Sequence, residues 1–139
     1  MTINQFKILH SETLMFYQII ENDLKIIFAF MHCGNPNYNY NIVDNKSLGQ
    51  IIKELKELDF SDGKSLISSS DYNFLSQITQ NRNHWAHQTY INFIYNDNYI
   101  ESQEYNKECV KLSKDHDRAQ SVCQSLEKIR LDYCKCVQR

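Results

Sequence analysis

Between positions 82 and 87 the chain reads Arg82-Asn83-His84-Trp85-Ala86-His87. A permanent cation, an amide and two imidazoles thus lie within six residues. Arginine offers a planar fork of donors to a phosphate, and histidine gives or takes a proton near neutral pH. Those groups suffice to cleave RNA without a metal. A neutral imidazole can take the proton of the ribose 2′-hydroxyl, and a protonated one can supply a proton to the leaving 5′-oxygen. The guanidinium can stabilise charge on the non-bridging oxygens. The expected products are a 2′,3′-cyclic phosphate and a 5′-hydroxyl, and DNA, which lacks the 2′-hydroxyl, resists the reaction.

These groups need an element to position them. On a helix Phe74, Ile78, Arg82 and Trp85 form one stripe, as do Leu75, Ile78, Arg82 and Ala86. Arg82 therefore stands where the pattern asks for an apolar side chain, a local break of the kind expected at a functional site. His87 lies roughly 140° around the helix from Arg82, whereas Asn83 and His87 share a face at i and i+4, so the amide can orient the imidazole. Arg82 and His87 converge if the helix frays at Ala86, if Arg82 uses its length, or if two copies of the motif meet across a two-fold axis to form one composite cleft.

Plainer readings stand beside these. Arg82 can snorkel to a carboxylate on another helix, and His87 can simply complement a helix C-terminus. His84 reads as a neighbour more than a catalyst, and Trp85 as a core or dimer contact. Tyrosines 38, 40, 90, 95 and 99 cover the ends of a bundle or, alternatively, stack on bases. His32 with Cys33, and His84 with His87, lack a third ligand at fixed spacing, and no carboxylate cluster suits Mg²⁺. The sequence thus calls for no metal and no other cofactor. His10, Asp115, His116 and Asp117 read as solvated helix-surface residues.

One proline and three glycines in 139 residues favour long helices. Ile8, Leu9, Phe16, Ile19, Ile20, Leu24, Ile27, Phe30 and Met31 recur at helical steps and predict a first helix over about residues 3–32. Cys33-Gly34-Asn35-Pro36 ends it, and residues 37–44 read as a loop. Asn45 or Ser47 caps a second helix carrying Leu48, Ile51, Ile52, Leu55 and Leu58. Ser61-Asp62-Gly63-Lys64 turns the chain. A third helix starts after Ser69 or Ser70 and fades near Thr89, residues 90–95 alternate weakly as a strand would, and a last helix covers about residues 100–137. The expectation is a single domain over residues 1–139, a compact all-α, up-and-down bundle of four main helices with room for a short fifth.

The formal net charge of −2 gives no general excess of cations for nucleic acid, so an RNA substrate requires a local positive patch. Five cysteines, Cys33, Cys109, Cys123, Cys134 and Cys136, show no CxxC pair and read as reduced structural thiols. The N-terminal residues lack a signal-peptide layout and the longest apolar run is far too short for a bilayer, so a cytoplasmic protein with no membrane partner is expected.

The segment Ile78-Thr79-Gln80-Asn81-Arg82-Asn83-His84-Trp85-Ala86-His87 resembles the Arg-x4–6-His signature, in its RNxxAH form, of the HEPN family of small all-helical proteins. Leu48-Gly49-Gln50-Ile51-Ile52 is similar to the second helix of such domains. The likeness covers the whole chain in architecture and about 15 residues in motif. It implies a metal-independent endoribonuclease working as a homodimer, its motifs facing across the two-fold axis, in toxin–antitoxin or phage-defence biology. Arg82 and His87 take the catalytic positions and Asn83 the polar one, with His84 and Tyr90 as accessory candidates. Some family toxins carry a tyrosine two residues after the histidine, to which a nucleotidyltransferase antitoxin attaches AMP. Here Thr89 holds that position and Tyr90 follows it. The alternative is a non-catalytic HEPN-like module that binds a nucleotide, RNA or protein partner and uses Arg82 structurally; a helical interaction protein without the family's chemistry is a third reading.

Overall fold

The computed structural model describes residues 1–61 and 63–137, with side chains through residue 134. Asp62 of the expected turn and the Cys136 side chain lie outside the described residues. Every regular element among those described is helical: α1 (Ile3–Met31), α2 (Pro36–Val43), α3 (Leu48–Phe60), α4 (Ser69–Leu75), α5 (Ile78–His87), a 3₁₀ turn (Tyr99–Glu101) and α6 (Gln103–Val137). The all-α bundle expected from the sequence is what the chain forms. No helix among the described residues is long and apolar enough to cross a membrane.

The long helices begin and end where their residue types dictate. Thr2 and Gln5 form a capping box at the start of α1, each satisfying a donor that the first turn leaves open. Residues 37–44, expected as a loop, form α2 instead. Asn35 caps its first turn and Pro36 occupies its first position, where a missing N–H costs nothing. The buried Asn39 of α2 then turns its amide onto the carbonyls of Ala29, His32 and Cys33 at 3.0, 3.2 and 3.3 Å. Those acceptors at the end of α1 have no partner in the helix itself. Ser47 caps α3 through the amide of Gln50.

The single third helix expected over residues 70–89 is two, α4 and α5, hinged at Ser76 and Gln77. The Ser76 hydroxyl bonds back to the Asn73 carbonyl at 2.7 Å, a local contact that competes with the helical ladder. The weak alternation over residues 90–95 gives turns rather than a strand. Phe93 is buried in an aromatic cluster with Phe6, Tyr90, Tyr99 and Tyr105 at centroid separations of 5.0 to 5.8 Å, so Tyr90 and Tyr99 cover the end of the bundle. Tyr38 and Tyr95 are exposed.

α1 packs chiefly on α6. Tyr105 bonds to Met1, His116 pairs with Glu12, and Arg130 pairs with Asp23, so the two helices run parallel. Their facing residues Phe6, Tyr17, Ile20, Leu24, Leu112, Ala119, Val122 and Leu126 are almost fully buried, together with Ile51 and Leu55 of α3 and Ile78 and Trp85 of α5. On α1 it is Phe6 and Tyr17 that face inward, while Ile8 and Ile19 of the expected stripe are exposed. At the end of α3, Asp59 accepts bonds from the Leu66 amide, the Ser65 hydroxyl and the Tyr72 phenol at 2.8, 2.7 and 2.6 Å, and one from the Ile67 amide. This carboxylate thereby closes the connection between α3 and α4. Cys123 is buried, Cys109 and Cys134 are partly buried, Cys33 is exposed, and these four thiols are free.

Candidate functional site

α5 is held from three sides by its central residue. Trp85 is 1% exposed, and its indole N–H donates to Asp115 of α6, which also accepts the Tyr17 phenol of α1. One carboxylate thus ties α1, α5 and α6 together. Burial, and then the Asp115 carboxylate, push the Tyr17 phenol far above its ordinary range, so it stays a donor. The Trp85 carbonyl lies 2.7 Å from Nε2 of His10. A carbonyl only accepts, so this nitrogen carries the hydrogen and Nδ1 is left to accept from the Tyr90 hydroxyl at 3.4 Å. The buried Thr89 hydroxyl closes the last turn onto the His84 and Trp85 carbonyls.

With α5 fixed this way, the residues of the motif part company. Arg82 faces α1, where its guanidinium meets Glu21 at 2.8 Å with the two side chains 34% and 29% exposed. His84 faces α6, where Nε2 lies 2.9 Å from Glu108. Glu108 is itself buried and takes a second bond from Asn92 at 2.9 Å. The Glu108 carboxylate accepts, so Nε2 of His84 carries a hydrogen and Nδ1 is the ring nitrogen left outside this contact. Asn83 and His87 are exposed and make no side-chain bond among the described residues.

Asn83, His87, Gln80 and His84 fall within an arc of about 100° on an ideal helix. They form one polar face of α5, with Arg82 roughly opposite His84. Beside that face lies a cleft of about 420 Å³, lined by Gln80, Asn81, Asn83, His84 and Gln88 and, across from them, by Lys111 of α6. The Lys111 ammonium also stands over the Trp85 ring, 5.6 Å from its centroid. Within one chain, then, the fold brings His84, His87 and Asn83 to one face and keeps Arg82 apart from His87.

Several side chains read as solvated are engaged. His10 and Asp115 are half-buried in the network around Trp85, and His116 is buried, 2.7 Å from Glu12; Asp117 is exposed as expected. The Tyr90 hydroxyl is turned to His10, and burial raises its pKa. Glu21, Glu108 and Lys111 entered no sequence-based reading of the site. Glu108 had left a trace, since it falls on the apolar stripe of α6 with Leu112 and Leu126, the same kind of break that marks Arg82. Among the described residues no three His, Cys, Asp or Glu side chains gather as metal ligands. Comparison with family models, with curated proteins and with solved structures finds no match for this chain.

Proposed function

We propose that the chain is a metal-independent endoribonuclease of the HEPN type, working as a homodimer in toxin–antitoxin or phage-defence biology and leaving 2′,3′-cyclic phosphate ends. One observation carries the reading: two imidazoles and an amide share the α5 face beside a polar cleft that contains Lys111. His84, oriented by Glu108, serves as the base through Nδ1, and the exposed His87 serves as the acid. Asn83, one turn before His87, can orient it. Lys111 supplies a cation next to the reacting phosphate.

Arg82 enters this scheme by exchange. Its pair with Glu21 is about one-third exposed on each side, so the pair contributes about 1 kcal/mol or less and a phosphate can replace the carboxylate. Because Arg82 lies on the far side of α5 from that polar face, its meeting with the other subunit's imidazoles requires a two-fold axis beside the edge of α5 and release of Arg82 from Glu21. An antitoxin that modifies Tyr90 would first have to draw its hydroxyl away from His10. The second reading, a non-catalytic HEPN-like binding module, is favoured by the same Arg82–Glu21 pair, which gives the arginine a structural task.

Incubation of purified protein with a cellular RNA mixture in EDTA separates the two. His84→Ala and His87→Ala should each lower the yield of fragments with cyclic-phosphate ends by about 10²-fold or more. Equal cleavage by wild type and both variants would assign the activity to a contaminant. Binding of RNA without cleavage by any of the three would favour the module.

A further inference from the structure

The cleft beside α5 is one part of a longer groove. A second cleft of about 480 Å³ is lined by Asn106, Lys107, Val110, Lys111 and Lys114. A third, of about 410 Å³, lies between Asn73, Gln77 and Asn81 on one side and Lys114 and Arg118 on the other. Lys111 is common to the first two, Lys114 to the second and third, and Gln77 and Asn81 to the first and third. The three clefts therefore adjoin one another and together outline an open channel along α6.

Its α6 wall is cationic by design of the spacing. Lys107, Lys111, Lys114 and Arg118 recur at steps of four, three and four, which keeps them on one helical face over about 16 Å. The three lysines are exposed and form no ion pair among the described residues. Arg118 is held by the Ser70 hydroxyl and Asp71 at 2.6 and 3.2 Å. Of the carboxylates next to the stripe, Glu108 is bonded to His84 and Asn92, and Asp115, which lines the third cleft, accepts from Tyr17 and Trp85. Glu104, near the start of α6, is exposed and lies 3.5 Å from Asn96. The facing wall is of amides, and Gln77, Gln80, Asn83 and Gln88 make no side-chain bond among the described residues.

We propose that this channel is a docking track for single-stranded RNA. The α6 cations lie along successive phosphates, the amides of α5 meet the edges of unpaired bases, and the strand is led past His84 and His87. The choice of RNA rests on the ribonuclease reading; the path rests on the channel itself. Cations alone would serve any polyanion, but the amide wall selects bases, whose edges are open only when unpaired. An acidic peptide would leave that wall without a partner. In a chain of net charge −2, this is the local cationic patch that RNA binding demands.

The test is binding of a labelled single-stranded RNA to the full chain carrying His87→Ala, followed across a salt series. Three to four phosphate contacts predict a slope of log affinity against log salt of about −2 to −3, reduced by about 0.7 for each contact removed. Lys107→Ala and Lys114→Ala should each show that reduction, and the Lys107→Glu/Lys114→Glu pair should weaken binding on the order of tenfold or more, with helix content and melting temperature unchanged. Lys53→Ala, on α3, should bind as the parent does. The proposal fails if the lysine variants bind normally, or if polyglutamate or double-stranded RNA binds as well as the single strand. Track-dependent binding by a chain that never cleaves would keep the track and remove the ribonuclease. Cleavage with an unaltered KM in the otherwise wild-type lysine variants would do the reverse.

Discussion

Arg82 sets a permanent cation on the apolar stripe of α5. Its place on an apolar stripe marked it, and the fold explains the break: the guanidinium reaches the edge of α1 and finds Glu21. A pair about one-third exposed on each side adds little to stability, so its replacement reports on mechanism more than on folding. Glu21→Gln should lower stability by less than about 1 kcal/mol in urea unfolding. If Arg82 must leave Glu21 to meet a phosphate, the same variant should raise kcat/KM for RNA cleavage by up to about fivefold, since about 1 kcal/mol of restraint is lifted. A fall in kcat/KM matched by Arg82→Ala would show instead that the pair serves to seat α5. His84 shows the complementary limit. Its partner Glu108 lies 24 positions away, and no local spacing could have joined the two.

Among the elements, the long ones were legible and the short ones were not. α1, α3 and α6 carry sustained apolar periodicity, and α1 and α3 begin and end within a few residues of the caps and breakers in the sequence. α2 has almost no apolar period. It exists because Asn35 and Pro36 start it and because Asn39 supplies the carbonyls at the end of α1 with a donor. Asn39→Ala should therefore cost about 1–3 kcal/mol, since it strands buried acceptors. Hydrogen exchange should show faster opening of α2 and of the last turn of α1, with α6 unaffected. Unchanged exchange at the end of α1 would show that its carbonyls do not depend on this amide. The hinge between α4 and α5 escaped notice for a related reason. Phe74, Leu75 and Ile78 keep the apolar rhythm across it, so periodicity alone cannot register the change of direction.

At the scale of the molecule, polar hubs fasten what the apolar core only brings together. Asp59 is the clearest case. Burial alone would raise its pKa, but bonds from Tyr72, Leu66, Ser65 and Ile67 outweigh that and hold it below the ordinary carboxylate value. A depressed folded-state pKa means stability that is present above the ordinary aspartate range and lost as the pH falls through the folded value. Asp59→Asn should thus destabilise the fold by about 2 kcal/mol at neutral pH. Urea unfolding should show the gap between wild type and variant narrowing below about pH 4. A gap that stays constant into acid would mean the Asp59 charge contributes nothing. By itself the sequence determined the all-helical class, the long helices and the crowding of arginine, amide and imidazole groups between positions 82 and 87, because periodicity, capping and motif spacing are local properties of the chain. The tertiary structure alone decided that α1 and α6 run parallel, that Arg82 faces Glu21 while His84 lines a cleft, and that Lys111 of α6 stands across that cleft. Those outcomes depend on which helix faces which, and contacts between residues far apart in the chain are set by packing rather than by spacing.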